Sequence, residues 1–159
     1  MKIVYQPIGI IHSPFNSIKG MPIQTTGAQG VRGRVEVNPE YAKGLTDLEG
    51  FSHIILLYHF HKVTEYKLMA TPFMDTQPHG IFATRAPKRP NAIGISVVRL
   101  LSRDKNILHI ENVDILNGAP LLDIKPYTPE FDHHPADQIG WLERVKGQSQ
   151  KVQADNRFA

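Results

Sequence analysis

Three cations fall within five positions at Arg85, Lys88 and Arg89, in a loop stiffened by Pro87 and Pro90. Proline fixes its own φ and steers the preceding residue toward extended backbone, so each cation leaves this loop in a restricted direction. A stiffened basic loop between two apolar runs suits a fixed anion, either a ligand carboxylate or a nucleic-acid phosphate. The competing reading is a solvated turn whose charges pair with Asp75, Asp104 or Glu111.

The stretch Glu111 to Tyr127 interleaves carboxylates with apolar residues. On extended backbone Glu111, Val113 and Ile115 face one way while Asn112, Asp114 and Leu116 face the other. Asn117-Gly118 is a turn dipeptide, so Asp114 to Asn117 approaches a chain reversal whose backbone groups are free to meet a ligand. Asp123 and Lys125 share a face, either as a structural ion pair or as a catalytic or binding pair. Among eight histidines, His59 and His61 fall on one face of a strand and His133-His134 follows Asp132. The two pairs are far apart in sequence, and strand histidines more often serve as hydrogen-bonded contacts, so no metal site is expected. The absence of cysteine removes disulfides, thiolate metal sites and a cysteine nucleophile.

These groups have to be positioned by one domain, because 159 residues with 41% hydrophobic content fit a single core. The apolar runs are short. Strands are expected over residues 2–11 (interrupted by Pro7), 32–37, 52–61, 80–85, 92–101, 106–113 and 121–125, with Ser52 to His61 buried on both faces. A hairpin turn is expected at Ser102 to Lys105, one or two helical turns at Pro39 to Leu45 with Asn38 as cap, and a long loop from Asn16 to Gly30. Ile139, Leu142 and Val145 form a stripe that predicts a helix over 136–148, followed by a polar tail that frays unless a partner subunit holds it. About seven strands and one late helix predict a mainly β, single-domain barrel, with the barrel over 1–135 and the helix and tail over 136–159. The longest strongly apolar stretch, Ile54 to Tyr58, is far short of the ~20 residues of a membrane span, and the N-terminus has no secretory pattern, so a cytoplasmic protein without membrane contact is expected. The net charge of +3 permits a polyanionic partner without requiring one.

Four segments, PIGIIHSPF (Pro7 to Phe15), GLTDLEGFSHIILLYHFH (Gly44 to His61), GIFATRAPKRPNAIGISVVRL (Gly80 to Leu100) and VDILNGAPLLDIKPY (Val113 to Tyr127), closely resemble the TsaA-like, or TrmO-type, methyltransferases. The resemblance runs from about residue 3 to 132 and implies a small, homodimeric β-barrel that binds S-adenosylmethionine without a Rossmann sheet. It further implies methylation of N6 of threonylcarbamoyladenosine beside the anticodon of tRNA, with the anticodon loop as partner. The donor contacts it implies are Pro22, Ile23, Gln24 and Thr25 in the first loop, His61 and Lys62 after the buried strand, Arg85 and Arg89 in the basic loop, and Val113, Asp114, Ile115 and Leu116. The family often has Pro-Arg-Gln where this chain has Pro22-Ile23-Gln24, which loses a cation. Longer relatives of this kind carry an additional C-terminal domain, and the chain is expected to correspond to the shorter members.

Methyl transfer from a sulfonium mainly requires alignment of donor and acceptor, which suits a site without metal or nucleophilic triad. An N6 acceptor loses a proton, and the candidates to receive it are Asp123 and Tyr127, with Lys125 orienting them. Two other readings stand beside this one: a donor-binding sensor or RNA-binding module without catalysis, and a methyltransferase for a small molecule or protein.

Overall fold

In one segment after another every second residue is apolar, and that period of two puts one face of each strand into a common interior. The computed structural model describes residues 1–148, 150–155 and 157. Its strands are β1 (Gly9–His12), β2 (Arg32–Val37), β3 (His53–His59), β4 (Met69–Ala70), β5 (His79–Gly80), β6 (Ile93–Asp104), β7 (Ile107–Glu111) and β8 (Ala119–Pro126). Six of them pair antiparallel in a closed barrel of order β1-β2-β7-β6-β3-β8, with β8 pairing back to β1; β4 and β5 form a separate two-stranded ribbon. Closure gives every barrel strand a neighbour on both sides.

Ile11, Val35, Ile54, Leu56, Val98, Leu108, Ile110 and Leu121 point inward and are completely buried. Each such side chain contributes about 1.5–3 kcal/mol by leaving water. The register sets large against small at one barrel end, where Tyr58 lies opposite Gly94. A Cβ on Gly94 would stand 2.5 Å from the Tyr58 ring and 2.9 Å from that of Phe60, so only glycine lets those rings lie across β6. Tyr58 and Phe60 meet edge to face at 5.5 Å.

The mainly β barrel agrees with expectation, with six barrel strands rather than seven. The first strand is confined to Gly9–His12, because Pro7 has no N–H for a ladder and pairing resumes with the Ile8 N–H donating to the Leu121 carbonyl. β3 is fully buried on one face only; Ile55 and Leu57, on the outer face, are half-buried. The run 80–85 is the end of β5 followed by a 3-10 turn over Ile81–Ala83, which the Thr84 hydroxyl closes by donating to the Ile81 carbonyl at 2.8 Å. β6 runs on to Asp104, so the hairpin reverses one step later, with Lys105 at φ 56. Pro39–Leu45 is 3-10 helix as the proline suggested, though Asn38 makes no side-chain cap.

The helix expected over 136–148 is replaced by a 3-10 segment, Gly140–Val145. Gly140 and Gly147 adopt φ +59 and +83, left-handed values that interrupt an α-helix at both ends. One α-helical turn, α1 (Pro129–Asp132), precedes it. The tail is not wholly free: Gln153 bridges Pro22 antiparallel, Ala154 is buried, and the Gly20 N–H donates to the Ala154 carbonyl and the Ala154 N–H to the Met21 carbonyl, both at 2.8 Å. Ser149, Asn156, Phe158 and Ala159 of that expected tail lie outside the described residues.

Candidate functional site

The barrel end that carries Tyr58 and Gly94 opens into a cleft of about 700 Å³. Four chain segments that are remote in sequence meet there: the first loop, the end of β3, the basic loop, and the segment between β7 and β8. Pro22, Ile23 and Gln24, His61 and Lys62, Arg85 and Arg89, and Asp114, Ile115 and Leu116 all line it. Thr25 instead begins a 3-10 turn behind the loop, and Val113 points into the core, completely buried and packed near Gly33. These two expected donor contacts do not line the cleft.

Local structure explains the placement. Asn112 turns the chain out of β7 with φ 69, and its side-chain oxygen accepts from the Gly30 N–H at 2.9 Å. The next residues are pinned from the other side: the Ser13 hydroxyl donates to the Ile115 carbonyl, the Ser13 N–H donates to Asn117 Oδ1 at 3.0 Å, and Gly118 reverses the chain at φ +86. Asp114 is thereby held at the cleft with its carboxylate facing the barrel interior. Ser96 Oγ donates to Asp114 Oδ1 at 2.6 Å, and Tyr58 Oη lies 3.1 Å from Ser96 Oγ. Burial pushes the Asp114 carboxyl up to about 6, against the opposing pull of Ser96, the local backbone and Arg85. Burial, reinforced by the Asp114 charge, also raises the Tyr58 phenol far above its ordinary range.

The basic loop divides its labour. Arg85 is exposed and donates to Gln24 Oε1 at 3.0 Å, joining two rims of the cleft. Arg89 braces the loop itself, donating to the carbonyls of Thr84 at 2.9 Å and Ala86 at 3.2 Å, with its guanidinium 6.0 Å from the Phe82 ring centre. Lys88 pairs with Glu65 at 3.4 Å, so the expected alternative partners, Asp75, Asp104 and Glu111, are not those of this loop. His61 is held below its ordinary value by partial burial and by Lys62 and His59, which leaves it neutral near pH 7.

One wall was not anticipated. Ile139, Trp141, Leu142 and Val145 line the cleft from the C-terminal side. Trp141 Nε1 donates to the Ala83 carbonyl at 2.7 Å and its ring stacks on His79 at 4.9 Å. His79 Nε2 and Arg144 Nη2 both reach Asp75 Oδ2, at 2.7 and 2.6 Å, and the His79 hydrogen bond leads the causes that hold Asp75 below its usual value. The signal was present in the spacing: Ile139, Leu142 and Val145 recur every third residue, which is the 3-10 repeat and not the α-helical one.

Asp123, Lys125 and Tyr127 stand elsewhere. Register places Asp123 beside Leu57 and Lys125 beside Ile55 on the outer face of the barrel, where their charged groups pair at 3.0 Å with both side chains largely exposed. Tyr127 meets the His53 ring edge-on at 6.0 Å. None of the three lines the cleft of this chain. Among the described residues no three His, Cys, Asp or Glu side chains are grouped as a metal site, and no helix is long and apolar enough to cross a membrane.

A closed antiparallel barrel that gathers cations, a half-buried carboxylate and apolar walls at one end is a ligand-binding barrel built without a Rossmann sheet. The chain belongs to the tRNA-methyltransferase O family: residues 10–133 match that family's N-terminal domain. It is similar to a probable S-adenosyl-L-methionine-binding protein of Pyrococcus abyssi, with 56% identity over 158 residues, 99% of this chain and 86% of that one. It is also similar to the human tRNA (adenine(37)-N6)-methyltransferase, with 34% identity over 139 residues, 82% of this chain but 31% of that protein. The crystal structure of TrmO from Pseudomonas aeruginosa superposes with a TM-score of 0.75 at 37% identity, covering 89% of this chain and 63% of that one.

Proposed function

We propose that the protein is an S-adenosylmethionine-dependent methyltransferase whose acceptor is N6 of an adenosine beside the anticodon of tRNA, in its threonylcarbamoyl-modified form. The observation that carries the reading is the convergence of three family motifs and the first loop on one cleft of about 700 Å³. The cleft fits the donor chemically. Arg85 supplies a fork for a carboxylate, Asp114 supplies the negative partner for a cationic or hydroxyl group, and Ile115 and Leu116 supply an apolar seat for a base. When bound, the donor supplies an electrophilic methyl group on a positively charged sulfur.

The chain's own contribution is orientation and exclusion of water. Gln24 and Arg85 tie the two rims together, and the Trp141 wall covers the apolar side. As N6 takes the methyl group it gives up one proton. The cleft offers neutral His61 as a group able to receive it, whereas Asp123, Lys125 and Tyr127 face outward and suit contact with tRNA or with a second copy. Six basic residues against one acid between Arg85 and Lys105 favour an RNA partner. Exposed Ile10 on β1, with Ile3, Val4 and Tyr5 just before that strand, supports a homodimer. Residues 1–135 form the barrel domain in this reading, and 136–159 act as a strap across its cleft.

A second reading, a donor-binding module without catalysis, is favoured by relatives named only for binding S-adenosylmethionine. Incubation with tRNA and methyl-labelled donor, followed by mass spectrometry of the nucleosides, separates the two. Label in the N6-methylated, threonylcarbamoylated adenosine is the expected result. Calorimetric donor binding without label in any nucleoside would replace the first reading by the second.

A further inference from the structure

We infer that Ser96 is a positioning residue: its hydroxyl, itself fixed by Tyr58, orients the Asp114 carboxylate toward the cleft and holds it ready for a cationic group. This rests on the proposed donor site and adds Ser96, which lies beneath it, and Tyr58, which lines its floor. The geometry settles the direction of the chain. Ser96 has one hydroxyl proton and gives it to Asp114 Oδ1 at 2.6 Å, so the 3.1 Å contact with Tyr58 has Tyr58 as donor and Ser96 as acceptor. Tyr58 and Ser96 are only 6% and 3% exposed, which excludes water as a ready substitute.

The fold makes this arrangement at one place only along β6. Gly94 and Ser96 are successive inward residues of that strand. The absent side chain at Gly94 leaves the space in which the Tyr58 ring crosses β6, and the phenol then arrives at the next inward position, Ser96. A polar residue inside an otherwise aliphatic barrel is costly unless satisfied, and here every hydroxyl has its partner. Of the charges around Asp114, Arg85 is the cation whose field reaches it; His59, His61, Lys62, Arg89 and Lys146 are the other ionisable side chains that line the cleft along with Tyr58. Since Ser96 favours the ionised carboxyl and burial opposes it, removal of the hydroxyl shifts the balance toward the neutral acid.

The test is a carbon-detected NMR titration of the Asp114 carboxyl in wild type, Ser96→Ala, Ser96→Thr and Tyr58→Phe, with Asp114→Asn to assign the signal. Wild type is expected to titrate near 6. Ser96→Ala should titrate about one unit higher, Tyr58→Phe should shift less in the same direction, and Ser96→Thr should return toward wild type. A shift of that size lowers the ionised fraction at pH 6.5 about threefold, so calorimetric affinity for S-adenosylmethionine should fall about threefold there and recover at pH 8. An unmoved titration in Ser96→Ala, or a shift that Ser96→Thr fails to reverse, overturns the assignment. Should Ser96→Ala not fold, Tyr58→Phe keeps the ring across Gly94 and carries the same reading. Wild-type protein that titrates as stated yet takes up no donor at any pH upholds the role of Ser96 and removes the proposed function.

Discussion

The cleft has two walls of different origin. The barrel wall, with Tyr58, Gly94 and Ser96, consists of strand residues of the ladder, Tyr58 paired to both β6 and β8 and Gly94 and Ser96 paired to β3. The opposite wall, with Ile139, Trp141, Leu142 and Val145, consists of a 3-10 segment fastened by a few side-chain contacts to the 75–83 region. The first wall belongs to the cooperative core. The second is held by interactions that form and break locally, so it is expected to open at less than the cost of global unfolding.

That contrast is most directly broken by substitution. Leu56→Ala, in the barrel interior, should cost about 2–5 kcal/mol in urea denaturation. Trp141→Ala should leave the main transition within about 1 kcal/mol while weakening S-adenosylmethionine binding about tenfold by calorimetry. Equal losses of stability in the two variants would make the walls one unit and end the comparison.

Asp75→Asn sharpens it, because Asp75 joins the strap to the ribbon through His79 and Arg144. Amide exchange is expected to accelerate several-fold over 139–148 in this variant while β3 and β6 stay protected; equal acceleration in the barrel would contradict the separation.

The barrel wall also carries a distinct pH signature. The folded chain binds the Asp114 proton more tightly than the unfolded chain, so this group makes stability fall as pH rises from the ordinary value of 3.8 through about 6, with no further change above. Asp114→Asn should flatten that portion of the stability profile in thermal melts, and an unaltered slope would show that the carboxyl is not buried as described. In the ligand-bound direction the sign reverses: affinity for a cationic donor should rise through the same interval. The smallest effect belongs to the outer barrel face, where Lys125→Met should change stability by about 1 kcal/mol or less because its pair with Asp123 is exposed. A larger loss would mean that the pair is covered, as a second copy of the chain would cover it.

The same division explains what could be read from the sequence. The barrel was legible because period-two alternation in 32–37, 92–101 and 106–113 carries one instruction, and the cleft segments around Arg85 and Asp114 were legible because proline, turn glycine and charge cluster there. Tyr58 and Ser96 were not, since each is ordinary in its own strand and their relation exists only after β3 and β6 are set in register. Asp123 and Lys125 share a face as expected, but alternation does not say which face of a barrel looks toward a given cleft. The strap differs from expectation for another reason: a three-residue stripe is compatible with both α and 3-10 helix, and the left-handed Gly140 and Gly147 at its ends decide for the shorter one.

The bridge between Pro22 and Gln153 has a consequence for measurement. The Gly20 N–H donates to the Ala154 carbonyl and the Ala154 N–H to the Met21 carbonyl, both at 2.8 Å. These two amides clasp the loop that carries Gln24 to the far end of the strap, so neither can exchange with solvent without the clasp parting. Their exchange rates are therefore a native gauge of how often the cleft is unlatched, readable in the unmodified protein without any label or ligand.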